Sequence, residues 1–218
     1  MRENYNEDFR EGVAHDCQIL YAGKTNPCWC CGKGWNDVLE KLSYRLEALN
    51  LLARDRWGVR IVADQVKEKY ATLRFYWHCE SDDSDDPTRE QEVMRRYMEL
   101  QAEDYVRQAE RECLTHCEFC GKEIGTADSP SCWTLGWHHY LCTTCAQKKN
   151  VDGSDRQYMM DGKCYKGTTE VPNPFVKGGD LVPLAPHDGA NSSRQSGARR
   201  GKSTFFDALL ACPKMDEE

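Results

Sequence analysis

Apolar residues recur at helical spacing in the segment that follows Trp35. They stand three or four positions apart with charged residues between them, at Val38, Leu39, Leu42, Leu46 and Leu49. A repeat of this period places the apolar side chains on one face of a helix. The pattern therefore predicts an amphipathic helix in the N-terminal part of the chain.

The pattern changes to that of strands over residues 57–77, WGVRIVADQVKEKYATLRFYW. β-Branched and aromatic residues are frequent here, and they favour two strands, near 59–66 and 70–77, joined near Lys67–Lys69. The second segment alternates, because successive side chains of a strand point to opposite faces. We expect Tyr70, Thr72, Arg74 and Tyr76 on one face and Ala71, Leu73, Phe75 and Trp77 on the other.

A second helical pattern follows the acidic loop SDDSDDP, in which Pro87 suits the first turn of a helix. We predict a long helix to about Thr115. Its apolar side carries Val93, Tyr97, Leu100, Tyr105, Val106, Ala109 and Cys113. Residues 80–112 have a net charge of −7, which equals the net charge of the whole chain. We interpret this charge as a solvated helix face rather than as mimicry of nucleic acid.

The composition suggests metal binding in a reducing compartment. No apolar run approaches the roughly 18 residues of a membrane span, and the charged N-terminus lacks the apolar core of a secretory signal. We therefore expect a cytoplasmic protein, located in the host cytoplasm if a phage encodes it. The chain has thirteen cysteines among its 218 residues. Disulfides do not persist in the cytosol, so metal ligation is the leading explanation for so many thiols.

Two C-x2-C pairs, CEFC and CTTC, form the strongest chemical signal. Their four cysteines are Cys117, Cys120, Cys142 and Cys145, and 21 residues separate the pairs. Zn²⁺ prefers four thiolate or imidazole ligands in a tetrahedron, and a C-x2-C turn presents two of them together. The glycine after the first pair and the helical pattern after the second favour a treble-clef-like zinc module.

The segment PCWCCGKGW repeats the first half of that signal. Cys28 and Cys31 are followed by Gly32 and Lys33, as Cys117 and Cys120 are followed by Gly121 and Lys122. We therefore expect a second metal site, and the favoured ligands are Cys28, Cys31, Cys79 and Cys17. His15 and His78 are other candidate ligands. The alternative is a turn of similar shape whose thiols pack behind Trp35.

The periodicity fades after Asp152 into a segment rich in Gly, Pro and Ser. We predict an irregular or disordered linker over 151–202. A short amphipathic docking element, 203–218, follows it. The residues expected to contact a protein partner are Arg199, Arg200, Lys202, Phe205, Phe206, Leu209 and Leu210. The alternative is that this element folds back onto the core.

These patterns predict an α+β fold. We divide the chain into an N-terminal knuckle, helix and β-hairpin (1–86), a connecting helix (87–116), a zinc module (117–150), the linker and the docking element.

The motif VADQVKEKYATLRFYW, the upstream CGKGW with its helix, and the downstream CxxC…GW…LCxxC resemble an uncharacterised phage and prophage zinc-knuckle family. The resemblance covers residues 28–146, and the hairpin motif is its most specific part. Ala71 stands where that family tends to have glycine, and this chain has a longer acidic helix and extensions at both ends. The resemblance implies a phage setting and a zinc fold, and it implies no reaction.

The favoured function is a zinc-binding accessory protein that binds a host or phage macromolecule, such as a protein of a defence, replication or transcription machine. One alternative is nucleic-acid binding through Lys122, Lys148 and Lys149, with an exposed Trp133 or Trp137 that stacks on a base. Another is a metal-dependent nuclease that uses His139 between the knuckles, or Lys67 with Asp55 or Asp64. An enzyme is the less favoured interpretation.

Overall fold

A computed structural model describes residues 7–22, 29–82, 87–136, 138–177 and 180–181. The helices are α1 (Glu7–Asp16), α2 (Asn36–Trp57), α3 (Arg89–Leu114) and α4 (Thr143–Ala146), and a 3₁₀ turn covers Lys33–Trp35. The strands are β1 (Trp29–Cys30), β2 (Val59–Lys69), β3 (Thr72–Ser81), β4 (Ser131–Thr134), β5 (Tyr140–Cys142), β6 (Gln157–Met160), β7 (Lys163–Lys166), β8 (Thr169–Val171), β9 (Val176–Lys177) and β10 (Asp180–Leu181). This mixture confirms the predicted α+β class.

The N-terminal core lies between a three-stranded sheet and two long helices. The strand order is β1-β2-β3, with β1 parallel and β3 antiparallel to β2. Helices α2 and α3 pack against this sheet and against each other. Leu73 and Phe75 point into the core and Tyr76 is exposed, so the predicted alternation along β3 is confirmed.

The turn between β2 and β3 lies three residues later than predicted. Both strands extend farther along the chain, and Tyr70 and Ala71 form the two-residue connection. Both residues have positive φ, 54° and 60°, as a type I′ hairpin turn requires. Glycine adopts this conformation without strain. Ala71 is therefore a buried alanine at a position whose backbone favours the glycine of the resembled family.

Helix α2 is joined to the sheet by a buried polar side chain. The Asn50 side chain accepts a hydrogen bond from the Ile61 N–H at 2.6 Å and donates one to the Ile61 carbonyl at 3.0 Å. One turn earlier, Glu47 accepts hydrogen bonds from the N–H groups of Ile19 and Leu20. Buried polar groups require such partners, and these bonds fix the helix against β2 and against the segment after α1.

Helix α3 has the predicted extent but buries a different face in its first half. Thr88 caps it in a capping box with Gln91, so Pro87 precedes the cap instead of entering the first turn. Val93, Tyr97 and Leu100, which we predicted to be on the apolar side, are exposed. The buried face carries Gln91, Met98, Ala102, Val106, Ala109 and Cys113. Apolar residues form two stripes along this part of the helix. The stripe that contains Met98 and Ala102 is the buried one, because it packs against β3 and α2.

The region after Asp152 differs most from the prediction. Strands β6, β7 and β8 lie within the segment predicted to be an irregular linker, and they complete a five-stranded sheet of order β5-β4-β6-β7-β8. Asp161 and Gly162 form the β6–β7 turn with φ of 49° and 77°. Asp-Gly between apolar segments is a strong hairpin signal. The strands have only three or four residues each, too few for a clear alternation.

The described residues from Phe175 onward belong to a second unit. Within the described residues of that unit, β9 and β10 form an antiparallel hairpin. The predicted docking element at 203–218 lies outside the described residues, as do Arg199, Arg200 and Lys202.

Candidate metal centre

The four predicted cysteines of the C-terminal module come together in one cluster. Cys117 and Cys120 lie on the turn after α3, Cys142 ends β5, and Cys145 lies in α4. Their sulfur atoms all lie within 4.8 Å of one another, and the Cys120 and Cys142 sulfurs are 3.7 Å apart. Cys120 is exposed, whereas the other three are buried. This geometry is that of a metal site with four cysteine ligands.

The local backbone explains why the first two thiols converge. The Cys117 N–H donates to the Lys122 carbonyl and the Gly121 N–H donates to the Cys117 carbonyl, both at 2.8 Å. Gly121 has a φ of 73°, a left-handed conformation that favours glycine. The Glu118 N–H donates to the Tyr140 carbonyl at 3.1 Å. This bond holds the turn beside β5, which delivers Cys142.

The protein around the cluster favours a thiolate at Cys117. The Cys145 thiol donates a hydrogen bond to Cys117, and the backbone N–H groups of Cys142, Cys120 and Phe119 also point at its sulfur. These donors lower the pKa of Cys117, although burial opposes them. The same hydrogen bond, together with burial, raises the pKa of Cys145. Metal ions bind the thiolate form, so the first ligand is already prepared.

The segment CGKGW lies directly against this turn. The Gly34 N–H donates to the Glu118 carbonyl at 2.8 Å. A Cβ atom on Gly34 would overlap the carbonyl oxygens of Cys117 and Glu118, and one on Gly32 would overlap the Glu118 carbonyl. The Trp35 indole N–H donates to the His116 carbonyl at 3.3 Å. Glycine is needed at both positions because backbone approaches backbone here.

Glu118 joins three parts of the molecule through one buried carboxylate. The side chain is 2 % exposed. Its Oε1 atom accepts a hydrogen bond from the Gly32 N–H at 3.0 Å, and its Oε2 atom lies 2.6 Å from Nδ1 of His139. Burial raises the pKa of Glu118, and the bond to His139 opposes that rise. The N-terminal segment, the cysteine turn and the β4–β5 hairpin therefore meet at this residue.

The predicted second metal site is not assembled by the residues that the structure describes. Within them, the only cluster of three or more candidate ligands is the one just described. Cys17 and Cys31 belong to the N-terminal core and Cys79 packs against it. Burial raises the pKa of each of these thiols to about 12. These three residues are core side chains, which corrects the ligand set, and Cys28 lies outside the described residues.

The two histidines considered for that site are exposed and bind carboxylates. His15 contacts its neighbour Asp16, and His78 lies between Asp64 and Glu80.

The residues of the predicted nucleic-acid site differ in exposure. Lys122, Lys148 and Lys149 are exposed, and the Lys149 Nζ atom lies 3.8 Å from Asp155. Trp133 is half-buried, and Trp137 lies outside the described residues.

The two predicted nuclease sites have different surroundings. The Nδ1 atom of His139 is engaged by Glu118. Lys67 donates to Gln65 at 2.6 Å, while Asp64 contacts His78. Within the described residues, no group of three metal-ligating side chains forms around Lys67.

Reasoning from the sequence missed Glu118 and the role of the two glycines. The available signal was the pair of glycines before Trp35, because glycine permits close approach of one backbone to another. Its partner could not be read from the chain, because the contact joins residues more than 80 positions apart.

None of the helices in the described ranges is both long enough and apolar enough to cross a membrane. In comparisons with known proteins, no model of a known family, no curated protein and no solved structure matches this chain.

Proposed function

We propose that this protein is a zinc-binding accessory protein in which one Zn²⁺ fixes the fold and the protein surface binds a macromolecule. The observation that supports zinc is the sulfur geometry. Four sulfurs about 2.3 Å from a tetrahedral zinc ion stand about 3.8 Å apart, and the Cys120 and Cys142 sulfurs are 3.7 Å apart. The donor set is four soft thiolates, which fits zinc better than Mg²⁺ or Ca²⁺.

The role proposed for zinc is structural. Cys117, Cys120, Cys142 and Cys145 would supply all four ligands, which is the arrangement of closed structural sites; catalytic sites usually keep a position for water. When bound, the ion supplies the attraction that holds the cysteine turn against β5 and α4. The protein groups then orient the ligands: backbone N–H groups hold the Cys117 sulfur, and Gly34 and Glu118 hold the turn.

The phage setting and the action on a host or phage macromolecule remain proposals that rest on the resemblance of residues 28–146. The exposed aromatic residues of the β2–β3 hairpin support macromolecule binding. Tyr70 and Tyr76 are 63 % and 44 % exposed, and exposed aromatic side chains are enriched at binding surfaces.

Elemental analysis of protein purified without added metal tests the zinc proposal. We expect about one zinc per chain in the unmodified protein and much less in Cys117→Ser and Cys142→Ser. Cys164→Ser is the matched control, because Cys164 is a buried thiol of the same sheet and not a member of the cluster. A ratio far below one in the unmodified protein, or equal zinc in all variants, would contradict the proposal.

A further inference from the structure

We propose that the outer face of the β2–β3 hairpin, together with aromatic rings of the β4–β5 hairpin, binds single-stranded nucleic acid. This inference rests on the proposed function, since it names the class of macromolecule and the surface. The surface, which we call the hairpin face, comprises Gln65, Lys67, Lys69, Tyr70, Thr72, Arg74 and Tyr76. None of these residues belongs to the site predicted from the sequence, which comprised Lys122, Lys148 and Lys149 with Trp133 or Trp137; of those, only Trp133 contributes to the aromatic surface described below.

The strand register places basic side chains opposite each other on the hairpin face. Lys67 pairs with Arg74, and the neighbouring pair is Gln65 with Tyr76. Like charges directly opposite each other destabilise a sheet, so this arrangement favours a bound anion. The acidic side chains near these residues have partners of their own. Asp64 and Glu80, farther along the same hairpin, contact His78. Glu68 accepts a hydrogen bond from the Ala71 N–H at 2.6 Å, and Glu110 lies 3.9 Å from Arg74.

Each lysine of the hairpin face lies over an aromatic ring. The Lys67 Nζ atom is 5.1 Å from the centre of the Tyr76 ring, and the Lys69 Nζ atom is 5.4 Å from the centre of the Tyr70 ring. A cation beside an exposed ring can contact a phosphate while the ring stacks on a base. Proteins that bind single strands combine these two contacts.

The aromatic surface continues from Tyr70 onto the zinc module. The ring centres of Tyr70 and His138 are 6.5 Å apart, and His138 stacks on Trp133 at 4.8 Å with an interplanar angle of 27°. Trp133 and His138 are half-buried, and the Nδ1 atom of His138 lies 3.2 Å from the Thr134 carbonyl oxygen. The stacked pair of Trp133 and His138 thus extends the aromatic surface beyond Tyr70, whose exposed ring is the platform for a base.

Charge and stacking together select a single strand over a duplex or an acidic protein. In a duplex the base faces are already stacked, so exposed rings would gain little from it. An acidic protein segment would satisfy the lysines but not the row of rings. The remainder of the molecule is acidic, with a net charge of −7 for the chain, so a polyanion is attracted only locally. Binding through three basic residues predicts a slope of about −2 in log K against log salt.

Fluorescence anisotropy of the full, zinc-loaded chain with labelled oligo(dT) and oligo(U) of about 20 nucleotides tests this inference. We expect at least about fivefold weaker binding for Tyr70→Asn, because one stacking contact is lost. Asparagine tolerates the positive φ of this turn position, so the ring is removed without new backbone strain. The Lys67→Gln/Lys69→Gln double variant should also bind more weakly and with a shallower salt dependence.

The matched control is Lys163→Gln/Lys166→Gln, which removes the same charge from exposed positions of strand β7. We expect it to bind within about twofold of the unmodified protein, since neither lysine belongs to the hairpin face. Circular dichroism and zinc content of each preparation confirm that the variants are folded.

Three outcomes would overturn the inference. In the first, the protein binds no single strand at low salt, and in the second, the control variant loses as much affinity as the hairpin-face variants. In the third, duplex DNA or inorganic polyphosphate displaces the labelled strand as well as an unlabelled single strand does. If zinc is present at one equivalent and the chain is folded but binds no strand, the hairpin-face inference fails and the zinc proposal stands. If zinc is absent, the zinc proposal fails whatever the binding result.

Discussion

At the scale of single residues, the close contact between two glycines and the cysteine turn has the largest structural consequence. Gly32 and Gly34 bring the N-terminal segment so near to Cys117 and Glu118 that no Cβ atom fits between the two backbones. The repeated C-x2-C-G-K pattern suggested two equivalent knuckles. The described residues show one turn with clustered thiols and a second segment packed onto it, so similar sequences perform complementary tasks.

Gly34→Ala should destabilise the protein by about 1–3 kcal/mol or more, the usual cost of overpacking a rigid contact. The atoms that the new methyl group would meet are backbone atoms, which cannot rotate away. Urea denaturation followed by circular dichroism measures the effect. Gly12→Ala is the control, because Gly12 lies in α1 with open space around its Cα atom. This control should be neutral or stabilising by up to about 1 kcal/mol. Equal stability of the two variants would exclude the close contact.

At the scale of elements, the spacing of apolar residues correctly predicted the long helices and strands. It predicted α2, the β2–β3 hairpin and the extent of α3, because each contains several repeats of its pattern. It failed for β6, β7 and β8, whose three or four residues hold no repeat. It also chose the wrong stripe in the first half of α3, where Tyr97 is exposed and Met98 is buried, whereas Val106, Ala109 and Cys113 in the second half are buried as predicted. Only tertiary contact decides between two apolar stripes of one helix.

The β2–β3 hairpin carries a cross-strand chain of charges that should respond to pH. The two ring nitrogens of His78 each lie 3.0 Å from a carboxylate, Nδ1 from Asp64 and Nε2 from Glu80. Glu80 also accepts a hydrogen bond from Arg60 at 2.9 Å. The hydrogen bonds to Asp64 and to Glu80 raise the pKa of His78, because both contacts favour the imidazolium form.

This raised pKa predicts a loss of stability as the pH rises. The stabilising contribution of protonated His78 is complete below the unfolded pKa of about 6.5 and is lost as the pH passes through the higher folded value. Melting temperatures at pH 6 and pH 9 should therefore differ more for the unmodified protein than for His78→Gln. The effect should be small, since the side chain is nearly half exposed. An identical pH dependence of the two proteins would contradict the prediction.

At the scale of the whole molecule, the candidate metal centre belongs to one of two hydrophobic cores, and its turn contacts the Gly32–Trp35 segment, which leads into the other. One core lies between the N-terminal sheet and helices α2 and α3, and the other surrounds Cys117, Leu141 and Tyr158. The sequence predicted the four thiols of the centre because C-x2-C pairs are a local signal. It could not predict Glu118 as the point where the parts meet, since Gly32 and His139 reach this carboxylate from distant positions.

Removal of the proposed zinc ion should therefore loosen more than the zinc module. Structural zinc contributes about 10–16 kcal/mol to zinc-finger peptides, comparable to the entire stability of a domain. Hydrogen exchange measured by mass spectrometry should show lost protection in Cys142→Ser, both around residues 117–122 and in Gly32–Trp35. Cys164→Ser should keep protection in both segments. Unchanged exchange at Gly32–Trp35 in a zinc-free variant would show that the two parts are independent.

Because the four cysteines differ in exposure, reagents in solution reach one of them first. Cys120 is exposed, whereas its three companions are buried. An oxidant or a competing chelator therefore reaches this thiolate before the others. Oxidation of the Cys120 sulfur would release the bound ion and loosen the cysteine turn. The segment that contains Gly32 and Gly34, which packs on this turn, would then lose its contact. The exposure of Cys120 therefore makes the centre, and the parts of the chain that pack on its turn, sensitive to oxidation.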